Sequence, residues 1–224
     1  MSSRKLHSDD YNQECSVLAQ YLLGKILVRK LENGKILKGM IVETEAYLGG
    51  DDKASHSYNG KVTERNKPMY AAPGTSYVYA IYGMYYCINI SAQGAGAAVL
   101  LRALKPLENL EEMRSNRITN KNNPKTLKEV DLCNGPSKLC ISFNITKELN
   151  NIFMPESDIL WVEEPHLSDW TPIIKTTRIG IEKCGAEWAA QKLRYYVFKC
   201  PYVSKRDKKS EKDFTILQDP DASL

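Results

Sequence analysis

Imidazole and paired thiols are both scarce in this chain. It has three histidines, and none of its six cysteines falls in a Cys-x-x-Cys pair. That removes the ligand spacing of a structural zinc or a redox dithiol, and no metal or other cofactor is expected. No apolar run approaches the roughly 20 residues of a membrane span, so no membrane partner is expected. Met1-Ser2-Ser3-Arg4-Lys5 does not read as a secretory signal. The cysteines are therefore expected to be reduced thiols, and Asn89-Ile90-Ser91 and Asn144-Ile145-Thr146 to match the glycosylation pattern by chance. There is no Rossmann unit, P-loop or internal repeat. The net charge of +4, from 31 basic and 27 acidic residues, is too mild to demand a polyanion partner but permits one through local patches.

What remains is a chain of 224 residues, 42% hydrophobic and 26% charged, long enough for a substantial core. More than half of its thirteen tyrosines fall between Ile41 and Asn89. That is too concentrated for ordinary core filling.

Ser8-Asp9-Asp10 supplies helix-capping residues, and Val17, Leu18, Tyr21 and Leu22 follow at helical spacing up to a terminating Gly24. Asn33-Gly34 predicts a tight hairpin, with a return strand over 36–47 carrying Glu43 and Glu45. Residues 48–74 read as a long loop, and such loops in compact domains are usually functional. Two strands are predicted to meet at Tyr82-Gly83-Met84, followed by a strand over 97–104 with Arg102 its one charge. Pro106 is predicted to open a helix and Gly135-Pro136-Ser137-Lys138 another, with further strands at 159–162, 178–181 and 193–197. Hairpin connections favour antiparallel pairing, so the fold class is α+β: a single domain built on a curved, mostly antiparallel sheet with surrounding helices. The expected organisation is a flexible N-terminus over 1–10, a domain over 11–204 with a mobile basic loop at about 117–128, and a charged, disordered tail over 205–224.

Glu43 and Glu45 stand two apart on a strand, so their side chains leave one face. A semi-buried carboxylate can act as a general base toward water. A solvated strand face gives the same pattern, and spacing does not say which glutamate would act. His56 is isolated, nine residues beyond Tyr47, with no second ligand at metal spacing. An aromatic at the hairpin tip, Tyr82, is awkward as core and suited to wedging between base pairs. Asn89 and Arg102 are polar residues within apolar strands and need partners, structural or ligand. Lys138 at a helix start suits an anion, and also suits solvent.

The order and spacing of five segments together resemble the alkyladenine (3-methyladenine) DNA glycosylase family: Leu22-Leu23-Gly24-Lys25, Ile41-Val42-Glu43-Thr44-Glu45-Ala46-Tyr47, Tyr77-Val78-Tyr79 with Tyr82-Gly83-Met84-Tyr85, Leu100-Leu101-Arg102-Ala103-Leu104 and Gly135-Pro136-Ser137-Lys138-Leu139. The likeness runs from about Leu22 to Ser204. It implies a nuclear, monomeric, monofunctional DNA glycosylase that flips damaged purines (the 3-methyladenine, 7-methylguanine, ethenoadenine and hypoxanthine class) out of double-stranded DNA. It would hydrolyse their N-glycosidic bond without a lyase step, starting base excision repair. By the same resemblance, Glu45 is the general base and Arg102 helps order the attacking water. Tyr47, His56 and Tyr79 hold the flipped base, and Asn89 disfavours the exocyclic amine of guanine. Tyr82, on a protruding hairpin, intercalates into the gap, while Met69 and Lys138 touch the DNA backbone. Glu64 stands where the family often has proline, Tyr86 where it has phenylalanine, and Asp51 and Asp52 add acidic groups near the expected DNA surface.

Overall fold

The computed structural model of the chain describes residues 3–118, 127–165 and 172–218. In chain order the first half contains β1 (Arg4–Lys5), α1 (Ser8–Tyr11), α2 (Cys15–Tyr21), β2 (Ile26–Lys30), β3 (Ile36–Tyr47), β4 (Ser76–Ile81), β5 (Tyr85–Ser91) and β6 (Ala98–Glu108). It continues with α3 (Leu110–Arg117), α4 (Pro136–Ser142), β7 (Leu160–Glu164), β8 (Ile173–Thr176), α5 (Ala186–Ala190), β9 (Arg194–Val197) and α6 (Lys208–Gln218). The ladder order is β1-β7-β2-β3-β6-β5-β4, with β9 joined to β3 and β8 to β9. Every pair among these strands is antiparallel. The class is α+β, as expected.

β3 is the strand that organises the sheet. It starts at the Asn33-Gly34 turn, where Gly34 has φ +80°, a conformation that favours glycine. Along one edge it pairs first with β2, from Ile36 to Met40, and then with β9, from Glu43 to Glu45. Along the other it pairs with β6, and the register shifts on both sides of Glu43. Such bulges bend a strand and re-aim its side chains.

Alternation along β3 separates two apolar layers. Ile41 belongs to the larger one, with Leu18 and Leu22, Leu101 and Leu104, and Leu139 and Phe143, all with no exposed surface. Burial of each such side chain contributes about 1.5–3 kcal/mol. Val42 belongs to a smaller cluster on the opposite face with Ala103, Ile174, Tyr196 and Val203, against which Phe198 and Phe214 pack.

The structure departs from the sequence-based expectations in four places. Pro106 lies inside β6, opposite Gly39, and the helix begins only at Leu110. β5 pairs with β6 only from Ala98 to Leu100, so a proline further along costs no hydrogen bond to β5. The expected strand at 178–181 is a loop that follows β8. Within 1–10, β1 pairs with β7, Leu6 is fully buried, and Arg4 bonds Asp10 and Glu164. In the tail, Asp207 accepts the Lys209 and Ser210 N–H groups at 3.1 Å each, capping the start of α6. Of the basic loop expected at 117–128, residues 119–126 lie outside the described residues.

Candidate active site

The bulge in β3 and the course of β6 bring Glu43, Glu45 and Arg102 together in the interior. Both glutamates are fully buried and Arg102 nearly so. Arg102 is shared between them: its Nε donates to Glu43 Oε1 and its Nη1 faces Glu45 Oε2, each at 3.2 Å. Burial opposes its charge, but Glu45 and Glu43 outweigh that and raise the guanidinium above its ordinary value. The two carboxylates have different remaining partners. Glu45 Oε2 accepts the Tyr47 hydroxyl at 2.9 Å, and Oε1 accepts the Ile179 N–H at 2.8 Å. Glu43 Oε1 also accepts Arg194 Nη1 at 2.9 Å, and Oε2 accepts the Ser204 N–H at 2.8 Å.

A cavity of about 300 Å³ opens in front of this cluster. That is the low end of the roughly 300–1,000 Å³ of small-molecule sites, suited to one planar group rather than an extended ligand. Glu45 sits one layer behind its wall, and its partners Tyr47, Arg102 and Ile179 all line it. Aromatic rings form much of the rest. His56 meets Tyr79 edge to face at 4.7 Å between centroids, and its Nδ1 is 2.9 Å from the Tyr77 hydroxyl. The Arg65 guanidinium lies 5.0 Å from the Tyr79 ring centre. Although the histidine presents surface to the cavity, desolvation and then the nearby Arg65 push its pKa below the ordinary value. Burial, reinforced by Glu45, pushes the Tyr47 hydroxyl well up, so it remains a donor. Asn89 is buried on β5 and donates from Nδ2 to the Tyr77 carbonyl at 3.1 Å.

The site residues named from sequence thus divide in space. Tyr47, His56, Tyr79, Asn89 and Arg102 line the cavity, with Glu45 behind it. Tyr82 stands apart at the tip between β4 and β5. It is 90% exposed, and both it (φ +51°) and Gly83 (φ +72°) are left-handed, the backbone of a tight hairpin turn. Met69 does not present its side chain to an outer surface. It is buried in the cavity wall against Tyr77 and Ala98, and its N–H is donated to the Asn66 carbonyl. Lys138 lies in the first turn of α4 with Nζ donating to Asn134 Oδ1 at 2.8 Å. Among the described residues no group of three or more His, Cys, Asp or Glu could hold a metal ion, and no helix is long and apolar enough to cross a membrane.

Other residues of the site were not singled out from sequence. Asp52, read as a surface acid, is buried in a two-pronged ion pair with Arg178, at 2.6 and 2.8 Å, with neither side chain exposed. Arg178 also donates to the Ala46 carbonyl and lies 4.7 Å from the Tyr47 ring centre, which fixes the loop that carries Ile179. The remaining signal in the sequence is an arginine beside two apolar residues, Ile179 and Ile181. Arg194 and Ser204, the outer partners of Glu43, left no signal.

Residues 9–201 match the family model described as methylpurine-DNA glycosylase. The chain is 46% identical over 213 residues to the DNA-3-methyladenine glycosylase of Mus musculus, a match covering 93% of this chain and 64% of that protein. For the Homo sapiens protein of the same name, identity is 46% over 212 residues, covering 93% and 71%. A protein of Encephalitozoon cuniculi named "Probable DNA-3-methyladenine glycosylase" is 50% identical over 196 residues, covering 87% and 90%. The chain therefore spans about two thirds of the length of its mammalian relatives and most of the microsporidian one. It belongs to the methylpurine-DNA glycosylase family, a family of DNA glycosylases.

Proposed function

We propose that the protein is a monofunctional DNA-3-methyladenine glycosylase. It takes alkylated or deaminated purines out of duplex DNA into the cavity and hydrolyses the N-glycosidic bond. The observation that carries this reading is the placement of Glu45, a buried carboxylate whose partners Arg102, Tyr47 and Ile179 all face one aromatic-lined cavity of single-base size. The attacking water is placed in the cavity beside Arg102 and Ile179, two lining residues that bond Glu45. As the glycosidic bond breaks, positive charge builds on the sugar; Glu45 stabilises it and takes the proton of the attacking water. The oxygen of that water bonds to C1′, and the bond electrons leave with the purine.

A purine alkylated at N3 or N7 is cationic and departs as a neutral base, whereas a neutral lesion such as hypoxanthine or ethenoadenine must take up a proton or a hydrogen bond as it leaves. Electron-rich tyrosine rings attract the cationic purine while it is bound. Tyr47, His56 and Tyr79 are the proposed walls for the base, and Asn89 the residue that disfavours the amine of guanine. Tyr82 is the proposed wedge that fills the vacated stack, since 90% exposure of a tyrosine at a hairpin tip serves no core. Lys138 is the proposed backbone contact, whereas Met69 acts through the cavity wall. Among the described residues no lysine lines the cavity, which supports hydrolysis without a Schiff-base step. The reading includes action as a monomer in the nucleus.

The test is a labelled duplex carrying one hypoxanthine or ethenoadenine, incubated with the wild type or with Glu45→Gln and then treated with alkali. The expected result is an alkali-dependent nick from the wild type alone, with lesion binding retained by the variant. Binding without a nick in both would leave a lesion-binding protein, and equal loss of excision in Glu43→Gln alone would assign the base to the other glutamate.

A further inference from the structure

The backbone beyond residue 201, where the family match ends, reaches the carboxylate cluster. The Ser204 N–H donates to Glu43 Oε2 at 2.8 Å, and Arg102 Nη2 approaches Ser204 Oγ at 3.4 Å. Arg194 bridges the same parts, donating from Nη1 to Glu43 Oε1 at 2.9 Å and to the Lys205 carbonyl at 2.7 Å. This segment is itself anchored. The Asp207 N–H donates to Tyr196 Oη at 2.9 Å, Thr176 Oγ1 donates to the Asp207 carboxylate, and Arg206 bonds Glu211 at 2.5 Å. Phe214 of α6 packs against Phe198 with the rings tilted by 54° and their centroids 5.2 Å apart.

Two carboxylates and two guanidiniums balance in charge at this point. Arg194 offsets Glu43, so Arg102 is not drawn to Glu43 alone and stands 3.2 Å from each glutamate. Neither Glu43 nor Ser204 lines the cavity. We propose that Glu43, Arg194 and the Ser204–Lys205 backbone form a positioning frame for Arg102, setting how its guanidinium is divided between Glu43 and Glu45. The proposal rests on the roles given above to Glu45 and Arg102. Glu43 is then a positioning residue, and the C-terminal segment is a working part of the site.

Glu43→Gln removes one of the two carboxylates that hold Arg102, and Ser204→Pro removes the N–H that holds Glu43, so either change lets the guanidinium shift relative to Glu45.

The experiment is single-turnover excision of hypoxanthine from a duplex by the full chain, with wild type, Glu43→Gln and Ser204→Pro compared. Affinity for the same duplex is measured in parallel. Each variant is expected to lower the rate on the order of 10- to 100-fold, the scale of losing a partner that orients a reactive group. Affinity should be unchanged. A rate loss matched by lost affinity would reduce the frame to packing; wild-type rates in both variants would remove it. If Glu43→Gln does not fold, Ser204→Pro decides by the split between rate and affinity. Full excision by Glu45→Gln would overturn the underlying reading instead, and is distinguishable from all of these outcomes.

Discussion

Ile179 donates its N–H to Glu45 Oε1 at 2.8 Å, joining residues 134 positions apart. The loop that carries Ile179 is held by the neighbouring Arg178, whose guanidinium is committed to Asp52 and the Ala46 carbonyl. One buried ion pair thus ties the long loop after β3 to the loop after β8, and both contribute to the cavity wall.

Asp52→Asn should therefore be severe. It leaves Arg178 buried beside a neutral amide, and breaking a buried pair from one side typically costs about 3–5 kcal/mol. Urea denaturation of wild type and variant measures this. A loss below about 1 kcal/mol would mean that water enters to solvate Arg178 and that the pair does not hold the loop.

Tyr82→Ala should separate stability from function. A side chain this exposed contributes little to folding, so the stability change should stay within about 0.5 kcal/mol. Capture of a flipped lesion should weaken more than binding to undamaged duplex. Equal weakening of both, read by titration with lesion and undamaged duplexes, would argue against the wedge.

His56 provides a pH prediction with a definite sign. Its folded pKa lies below the ordinary 6.5, first through desolvation and then through Arg65. The folded state therefore prefers the neutral ring. That contribution is complete above the unfolded value and is lost as pH falls through about 6.5 toward the lower folded value. Wild type should lose stability relative to His56→Gln over that window, and it should also lose affinity for a cationic alkylated purine, which a protonated ring repels. Melting temperatures and lesion titrations on both sides of the window check each part. Parallel pH profiles for the two proteins would show that the ring is not desolvated in solution.

The parts of this architecture that were legible in the sequence are those fixed by local chemistry. Asn33-Gly34 dictates a turn, and β3 follows over the predicted span because its alternation and its end at Leu48-Gly49-Gly50 are local facts. Gly135-Pro136 opens α4 for the same kind of reason. The cavity residues Tyr47, His56, Tyr79, Asn89 and Arg102 were reachable because the order of their motifs resembles a family, and not because spacing assigns them roles. Asp52, Arg178, Arg194 and Ser204 were not reachable, since each is defined by a partner more than a hundred residues away. The charged run after Ser204 reads as solvated by composition. It folds because Asp207 caps α6 and Tyr196 reaches Glu211, and neither contact leaves a periodic trace.

The convergence on β3 also constrains the order in which the molecule can be made. Glu43 and Glu45 are synthesised early, but Arg102, Ile179, Arg194 and Ser204 follow at successively later points. A buried carboxylate without its donors is costly, so the middle of the sheet cannot dry out until those partners are present. On the ribosome, the centre of this sheet would be among the last regions to close. A nascent chain stalled short of Ser204 would hold its aromatic hairpin and most of its cavity wall, yet keep water on the carboxylates that the finished protein seals.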